Sequence, residues 1–203
     1  MKKLCVMILI TLLLVGAGWA KTVDFHFPVE INKASVMITE HFLDRSLEKG
    51  DYLRFWIDSP GGSVTSSIAL YDYLVSLREQ GIRVDTIATG ICASGATVVL
   101  QAGETRYVTP FTLCLVHGCH NEYEKPANFW QWIDQKYEQW KDRGMKKYID
   151  DDLADLYIIK THQTRKVIDK IMSQDSWFYA VDFKLAGFAD KIRGAKELMN
   201  GKQ

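Results

Sequence analysis

The sequence has little proline, no excess of charge of either sign and few cysteines. Its 4 prolines and 14 glycines among 203 residues leave no room for a long linker, so we expect one compact unit. The 25 Lys and Arg residues balance 25 Asp and Glu residues, and without a broad positive field the chain is not expected to bind nucleic acid. The four cysteines form no set of spaced pairs, so no disulfide scaffold is implied.

A hydrophobic N-terminus stands out from the rest of the chain. Lys2 and Lys3 precede an apolar run over residues 4–15, and small residues occupy the −1 and −3 positions of a cut after Ala20. This layout is typical of a secretory signal peptide, and the run is too short for a transmembrane helix. We interpret residues 1–20 as a signal peptide, or alternatively a hydrophobic N-terminal arm, and 21–203 as the folded domain.

Removal of that segment predicts export to the periplasm or secretion, with a cytoplasmic location as the alternative. The cut would leave Cys92, Cys114 and Cys119. Three thiols suit a reducing compartment at least as well as an oxidising one.

Apolar periodicity predicts alternating strands and helices up to about residue 120. The predicted strands cover 52–58, 84–91, 106–108 and 112–117, and the helices cover 63–80 and the segment after Gly95 to Ala102. Strand, turn and helix recur twice, which indicates an α/β fold with parallel strands.

The charged and aromatic stretch from 126 to about 172 favours a long helix. Gly144 is a candidate kink within it, and Trp130, Trp132 and Trp140 could pack internally or form an oligomer contact.

Ser94 is a candidate nucleophile because it lies between a predicted strand and a predicted helix. The free N–H groups and positive end of a helix favour a developing anion there. Gly90 and Gly95 allow a tight turn around it. A serine at a helix start is more often a cap, and Cys92 replaces the first glycine of the Gly-x-Ser-x-Gly elbow.

His117 is a candidate general base at the end of an apolar strand, and His120 is the competing base. A zinc site of Cys114, His117, Cys119 and His120 is the other possibility. Cys114 and His117 are an odd number of positions apart and point to opposite faces of a strand, so we expect no metal site.

Two further elements could complete a nucleophilic site. A carboxylate such as Asp175 would orient the imidazole, although spacing alone does not separate it from Asp169, Asp182 or Asp190. The turn Ser59–Gly62 could supply N–H groups to an oxyanion hole, or serve only as a strand-to-helix turn.

The segments IDSPGGSVTSSIALYDYL, TGICASGATVVLQAG and DSWFYAVDFKLAGFAD together resemble the proteolytic subunits of the Clp protease, the ClpP family. The likeness covers nearly all of residues 27–192. It implies a ClpP/crotonase-like α/β fold, a repeated ββα spiral with a protruding helical handle that begins after Pro126. It also implies a homo-oligomeric ring, a heptamer or two stacked heptamers.

The resemblance assigns a role to each candidate. It makes Ser94 the nucleophile, His117 the general base and Asp175 the orienting acid, with the N–H groups of Gly62 and Gly95 as the oxyanion hole. It implies no metal and no cofactor, and peptides or unfolded proteins as substrates. A cytoplasmic form could work with an AAA+ unfoldase, whereas an exported form would act alone.

The function expected is therefore that of a ClpP-like serine endopeptidase acting through an acyl-enzyme. One alternative is a non-catalytic ring or scaffold subunit, which the presence of all three residue types disfavours. The other is a crotonase-type acyl-CoA enzyme, since fold does not fix function. Such an enzyme would also use a backbone oxyanion hole but would need no serine backed by His and Asp.

Overall fold

The structure, a computed structural model, describes residues 20–119 and 129–194. Apart from Ala20, the predicted signal peptide lies outside the described residues. The strands of this part are β1 (Thr22–Phe27), β2 (Tyr52–Ser59), β3 (Arg83–Ala93), β4 (Arg106–Val108), β5 (Leu113–Val116), β6 (Ser176–Tyr179) and β7 (Lys191–Ile192). Its helices are α1 (Lys33–Ser46), α2 (Val64–Glu79), α3 (Gly95–Leu100), α4 (Phe129–Thr161), α5 (Arg165–Ser173) and α6 (Ala180–Leu185). None of these helices is long and apolar enough to cross a membrane.

The strands form one mixed sheet in which most neighbours are parallel. Strands β1, β2, β3, β4 and β7 follow one another in that order, and β5 and β6 branch from β3. The first half of β3 pairs with β4, and its last residues pair with β5. Gly90, at φ +58°, lies between the two halves. β3 therefore changes partner just before Ser94.

The main core lies between the sheet and the helices packed on it, and each helix named above contributes buried side chains to it. The buried side chains Leu53, Phe55 and Ile57 of β2 belong to the same cluster as Leu70 and Leu74 of α2. Full burial of such side chains contributes about 1.5–3 kcal/mol each. A smaller cluster of Trp56, Ile87 and Tyr107 lies apart from it. Successive side chains of β2 therefore point to opposite faces of the sheet and belong to different clusters.

The long helical stretch differs from its prediction. α4 continues through Gly144, around which a Cβ atom would meet nothing within 4 Å, so no neighbour forces a kink there. The break lies instead at His162, in the left-handed region with φ +58°. Thr164 then caps α5 by accepting from the Val167 N–H. The side chains of Trp130, Trp132 and Trp140 lie outside the described part, and their contact role stays a prediction.

The C-terminal strand is fixed by one partly buried ion pair. The Arg106 side chain, 10% exposed, pairs with Asp190 at 2.5 Å and also donates to Gln101 at 2.7 Å. Burial by itself would raise the pKa of Asp190, but hydrogen bonds and charge from Arg106 outweigh it, and the pKa lies below its ordinary value. The carboxylate therefore stabilises the fold above the ordinary Asp pKa of about 4. That stability is lost as the pH falls through the lowered pKa.

We expect Asp190→Asn to lower the melting temperature at pH 7. The difference from wild type should shrink as the pH falls from about 5 to 2, because the wild-type carboxylate is then protonated as well. Thermal melts across this range measure it. Asp182→Asn, an exposed carboxylate on α6, is the matched control and should show no such trend. If the melting temperature of Asp190→Asn stayed below that of wild type by the same amount at every pH, the ion-pair explanation would be wrong.

Candidate active site

Ser94 occupies a strained junction between β3 and α3. Its φ of +54° and ψ of −126° are unusual for a residue with a side chain. Its N–H donates to the Leu115 carbonyl at 2.8 Å, and its own carbonyl accepts from the N–H and the hydroxyl of Thr97. Among the described residues, the Ser94 side chain makes no capping bond. The backbone is therefore held firmly while the hydroxyl is not used as a cap.

Gly61 lets the Ser-Pro-Gly-Gly turn approach Ser94. A Cβ on Gly61 would lie 2.8 Å from both the Ser94 Cβ and the Gly95 nitrogen, and 2.5 Å from the Ala93 carbonyl oxygen. Only a residue without a side chain fits at that separation, and the φ of +93° also favours glycine. The turn and the serine junction are thus packed backbone against backbone.

The backbones of Gly62 and Gly95 approach each other at this contact, since a Cβ on Gly95 would lie 3.7 Å from the Gly62 nitrogen. Ile31 and Gly62 form an isolated parallel β-bridge. In this bridge the Ile31 N–H donates to the Gly61 carbonyl at 2.7 Å, and the Ile31 carbonyl accepts from the Ser63 N–H at 2.8 Å. In a parallel bridge of this type the N–H of Gly62 itself points away from Ile31. Gly95 is the first residue of α3, so its N–H has no acceptor within the helix. The pair resembles an oxyanion hole in its donors and position.

His117 and Asp175 are brought together by the pairing of β5 with β6. Val116 is opposite Ser176 in this antiparallel pair, so the next residue on each side meets across it. The His117 Nδ1 lies 3.3 Å from the Asp175 Oδ1, with the His117 side chain 17% exposed and that of Asp175 58% exposed. Asp175 adopts φ +46°, a strained conformation that the surrounding structure must hold.

The alternative acids have other partners or positions. Asp169 binds Arg165 and Asp190 binds Arg106, while Asp182 is exposed on α6. His120, the competing base and a member of the possible zinc set, lies outside the described residues. Cys114 is buried opposite Cys92 on the neighbouring strand.

Ser94, Gly95 and His117 line one small cavity. Its remaining walls come from α2, α3, α4 and the segment after β5, namely Val64, Ser67, Val98, Gly118, Cys119, Leu153 and Tyr157. Leu153 and Tyr157 were not predicted from the sequence as site residues. The spacing of four between them marked one face of a helix, but it did not say which cavity that face would meet.

Cys119 contributes a neutral thiol to this cavity. Burial raises its pKa to about 12, with the charge and hydrogen bond of Asp150 adding to the effect. A thiol with so high a pKa is a poor nucleophile near neutral pH because little of it is thiolate. Ser94 is therefore the better candidate nucleophile in this cavity.

Comparison with known proteins identifies the lineage of this fold and site. The family described as Clp protease matches residues 20–196. The chain belongs to the Clp protease family. It is 29% identical over 175 residues to the ATP-dependent Clp protease proteolytic subunit 1 of Chlamydia abortus, across 85% of this chain and 86% of that protein.

A solved structure supports the predicted fold. A point mutant of ClpP1 from Listeria monocytogenes matches with a TM-score of 0.66 and 18% identity, covering 86% of this chain and 92% of that one. The ClpP-type α/β fold predicted from the sequence is therefore confirmed. Family membership makes the chain a relative of serine peptidases, while the roles of Ser94, His117, Asp175, Gly62 and Gly95 stay predictions.

Proposed function

We propose that the protein is a serine endopeptidase that hydrolyses peptide bonds through an acyl-enzyme. One arrangement supports this proposal. Ser94, whose backbone is strained and whose hydroxyl makes no helix cap, lines the same cavity as His117. Asp175 contacts the Nδ1 atom of His117. His117 accepts the Ser94 proton as the hydroxyl attacks the carbonyl carbon of the substrate.

The next steps use the same groups. The N–H groups of Gly62 and Gly95 stabilise the oxyanion, and the His117 imidazolium gives its proton to the leaving amine. Water then attacks the ester with His117 again as base, and the serine is regenerated. Asp175 holds the imidazole in the tautomer with Nδ1 protonated. No metal or cofactor is required for this sequence.

A serine-reactive probe tests the proposal directly. We expect a fluorophosphonate to add one adduct to the intact wild-type protein, with peptide mapping placing it on Ser94. Heat-unfolded protein is the control, because an activated serine depends on the folded site. No adduct on folded and assembled protein would contradict the peptidase proposal and favour a scaffold subunit. A crotonase-type enzyme would also leave Ser94 unlabelled, since its chemistry needs no nucleophilic serine.

We also propose that the protein works as a homo-oligomeric ring. Two apolar surfaces support this: Met37, Ile38 and Phe42 on α1 are 49–69% exposed, and Trp177, Tyr179, Val181 and Leu185 on β6 and α6 are 53–75% exposed. Phe42 contacts Phe25 of the edge strand β1, whereas β6 lies at the other end of the sheet. Two different patches at opposite ends suit a head-to-tail interface, which closes into rings.

The partners and location of the protein are proposed on the same basis. Peptides or unfolded proteins are the substrates, and an AAA+ unfoldase is a partner if the protein is cytoplasmic. If residues 1–20 are removed, we propose that the protein is exported to the periplasm or secreted. The intact mass recorded in the labelling experiment reports that removal, provided that the protein is produced in cells with a secretion pathway.

A further inference from the structure

The cavity beside Ser94 is small, mostly apolar and bordered on one side by α4. We propose that this cavity admits only a small apolar side chain on the amino side of the scissile bond (P1), so that the protein cleaves after alanine in preference to leucine, phenylalanine or charged residues. The proposal rests on the peptidase function above. A cavity bordered by both nucleophile and base is where the side chain next to the attacked carbonyl must lie.

The size of the cavity sets the first limit. It leaves about 20 Å³ for the centre of a water molecule, and one water requires about 10–15 Å³ on that measure. A methyl group of alanine fills such a space, whereas the isobutyl group of leucine needs several times more. A larger side chain must displace the wall, and overfilling a packed site is unfavourable.

Two residues of α4 close the cavity. Leu153 and Tyr157 are 6% and 1% exposed, and they lie one helical turn apart on the same face. The Tyr157 hydroxyl hydrogen-bonds the Thr97 hydroxyl at 2.8 Å, and its ring packs edge-on against Phe188 at 5.2 Å. The tyrosine therefore cannot swing aside without losing a buried hydrogen bond and a ring contact.

The opposite wall is also fixed in place. The Cys119 N–H donates to the Asp150 Oδ1 of α4 at 2.7 Å, which ties the segment after His117 to the helix that carries Leu153. Val98 of α3 is 3% exposed and follows Gly95 by three residues on the same helix. α3 and α4 therefore confine the cavity from two sides.

The chemistry of the walls sets the second limit. Val64, Val98 and Leu153 are apolar, and Cys119 contributes an uncharged thiol. Ser67 and Tyr157 add hydroxyl groups, which already hydrogen-bond the Ser63 carbonyl and the Thr97 hydroxyl. No Lys, Arg, Asp or Glu side chain is among the described residues that line the cavity. A charged side chain entering it would lose its hydration without gaining a counter-ion, so cleavage after lysine, arginine, aspartate or glutamate should be slow.

The first test uses the wild-type protein and a set of internally quenched peptides that differ only at P1. We expect kcat/KM for alanine to exceed that for leucine by about tenfold or more, in line with the discrimination that apolar pockets achieve. Phenylalanine and lysine peptides should be cleaved more slowly still. Mass spectrometry of the products establishes the position of each cut.

A variant tests whether Leu153 sets the limit. Leu153→Ala should raise the ratio of kcat/KM for leucine over alanine by about tenfold. Leu153→Val, a smaller change, should move the ratio in the same direction and remains informative if the alanine variant unfolds. Ile159→Ala is the matched control, because Ile159 lies on the same helix but is 68% exposed. It should leave the ratio unchanged.

The outcomes separate this proposal from the peptidase function. Wild-type protein that is labelled by fluorophosphonate but cleaves after leucine or phenylalanine as fast as after alanine would overturn the size limit alone. Leu153 variants that fold yet keep the wild-type ratio would overturn the role of α4. Failure of labelling would instead refute the peptidase function itself.

Discussion

Replacing Ser94 by alanine, or His117 by alanine, is expected to lower peptide hydrolysis by about four to six orders of magnitude. The two residues act as one unit, because the hydroxyl is a weak nucleophile unless the imidazole takes its proton. The double variant should therefore be no slower than either single variant. Steady-state cleavage of an alanine-P1 peptide measures all three, with fluorophosphonate labelling as a second readout for His117→Ala.

The controls for this experiment come from the same chain. His41→Ala removes an exposed histidine of α1 and should retain wild-type activity. Thermal melts establish that the Ser94 and His117 variants are folded. Additive losses in the double variant would indicate that the two residues act independently, which is incompatible with a shared catalytic unit.

Asp175→Asn addresses the third member of this unit. The amide keeps the size of the carboxylate but favours the wrong imidazole tautomer, so kcat should fall by as much as about 10⁴-fold. Asp175 is 58% exposed, and water screens part of its charge. We therefore expect its loss to cost less than the loss of His117. An equal or larger effect would assign Asp175 a more direct part in the reaction.

The secondary structure around Ser94 was predicted well because its signals are local. Apolar runs and glycines around residues 84–102 placed Ser94 between a strand and a helix, and β3 and α3 meet there. The alternation of Val23, Phe25 and Phe27 with polar residues is a local strand signal of the same kind, and β1 forms there.

The choice of acid depends on long-range pairing. Spacing could not separate Asp175 from Asp169, Asp182 and Asp190, because the register of β6 against β5 decides which one reaches His117. The ion pair of Arg106 is also a long-range contact, because its partner Asp190 is 84 positions away along the chain. Resemblance to the family supplied what periodicity could not.

The cavity shows the same division between local and long-range signals. Leu153 and Tyr157 lie four residues apart in the stretch predicted as a long helix, but only the folded chain places that face of the helix against Ser94 and Cys119. Local patterns likewise indicate Gly62 as part of a turn, and its role in an oxyanion hole came from the family resemblance. Its bridge to Ile31, which lies on a separate segment before α1, exists only in the tertiary structure. Sites built from several segments are therefore harder to predict than the segments themselves.

Gly62→Ala should disable the site through the backbone alone. A Cβ at this position would lie 2.2 Å from the Ile31 carbonyl oxygen and 2.9 Å from its nitrogen, and the φ of +144° is strained for alanine. The turn must shift, and the N–H that we propose for the oxyanion moves with it. Loss of one such donor lowers kcat by about 10²–10³-fold, and the strain should reduce the free energy of unfolding by about 1–3 kcal/mol.

Gly144→Ala is the matched control for this substitution. Gly144 lies within α4 with nothing within 4 Å of its missing Cβ, so alanine should stabilise the protein by up to about 1 kcal/mol through its helix propensity. Chemical denaturation gives both stabilities, and kcat on an alanine-P1 peptide gives the activity. A Gly62→Ala protein with wild-type kcat would mean that the oxyanion is stabilised elsewhere.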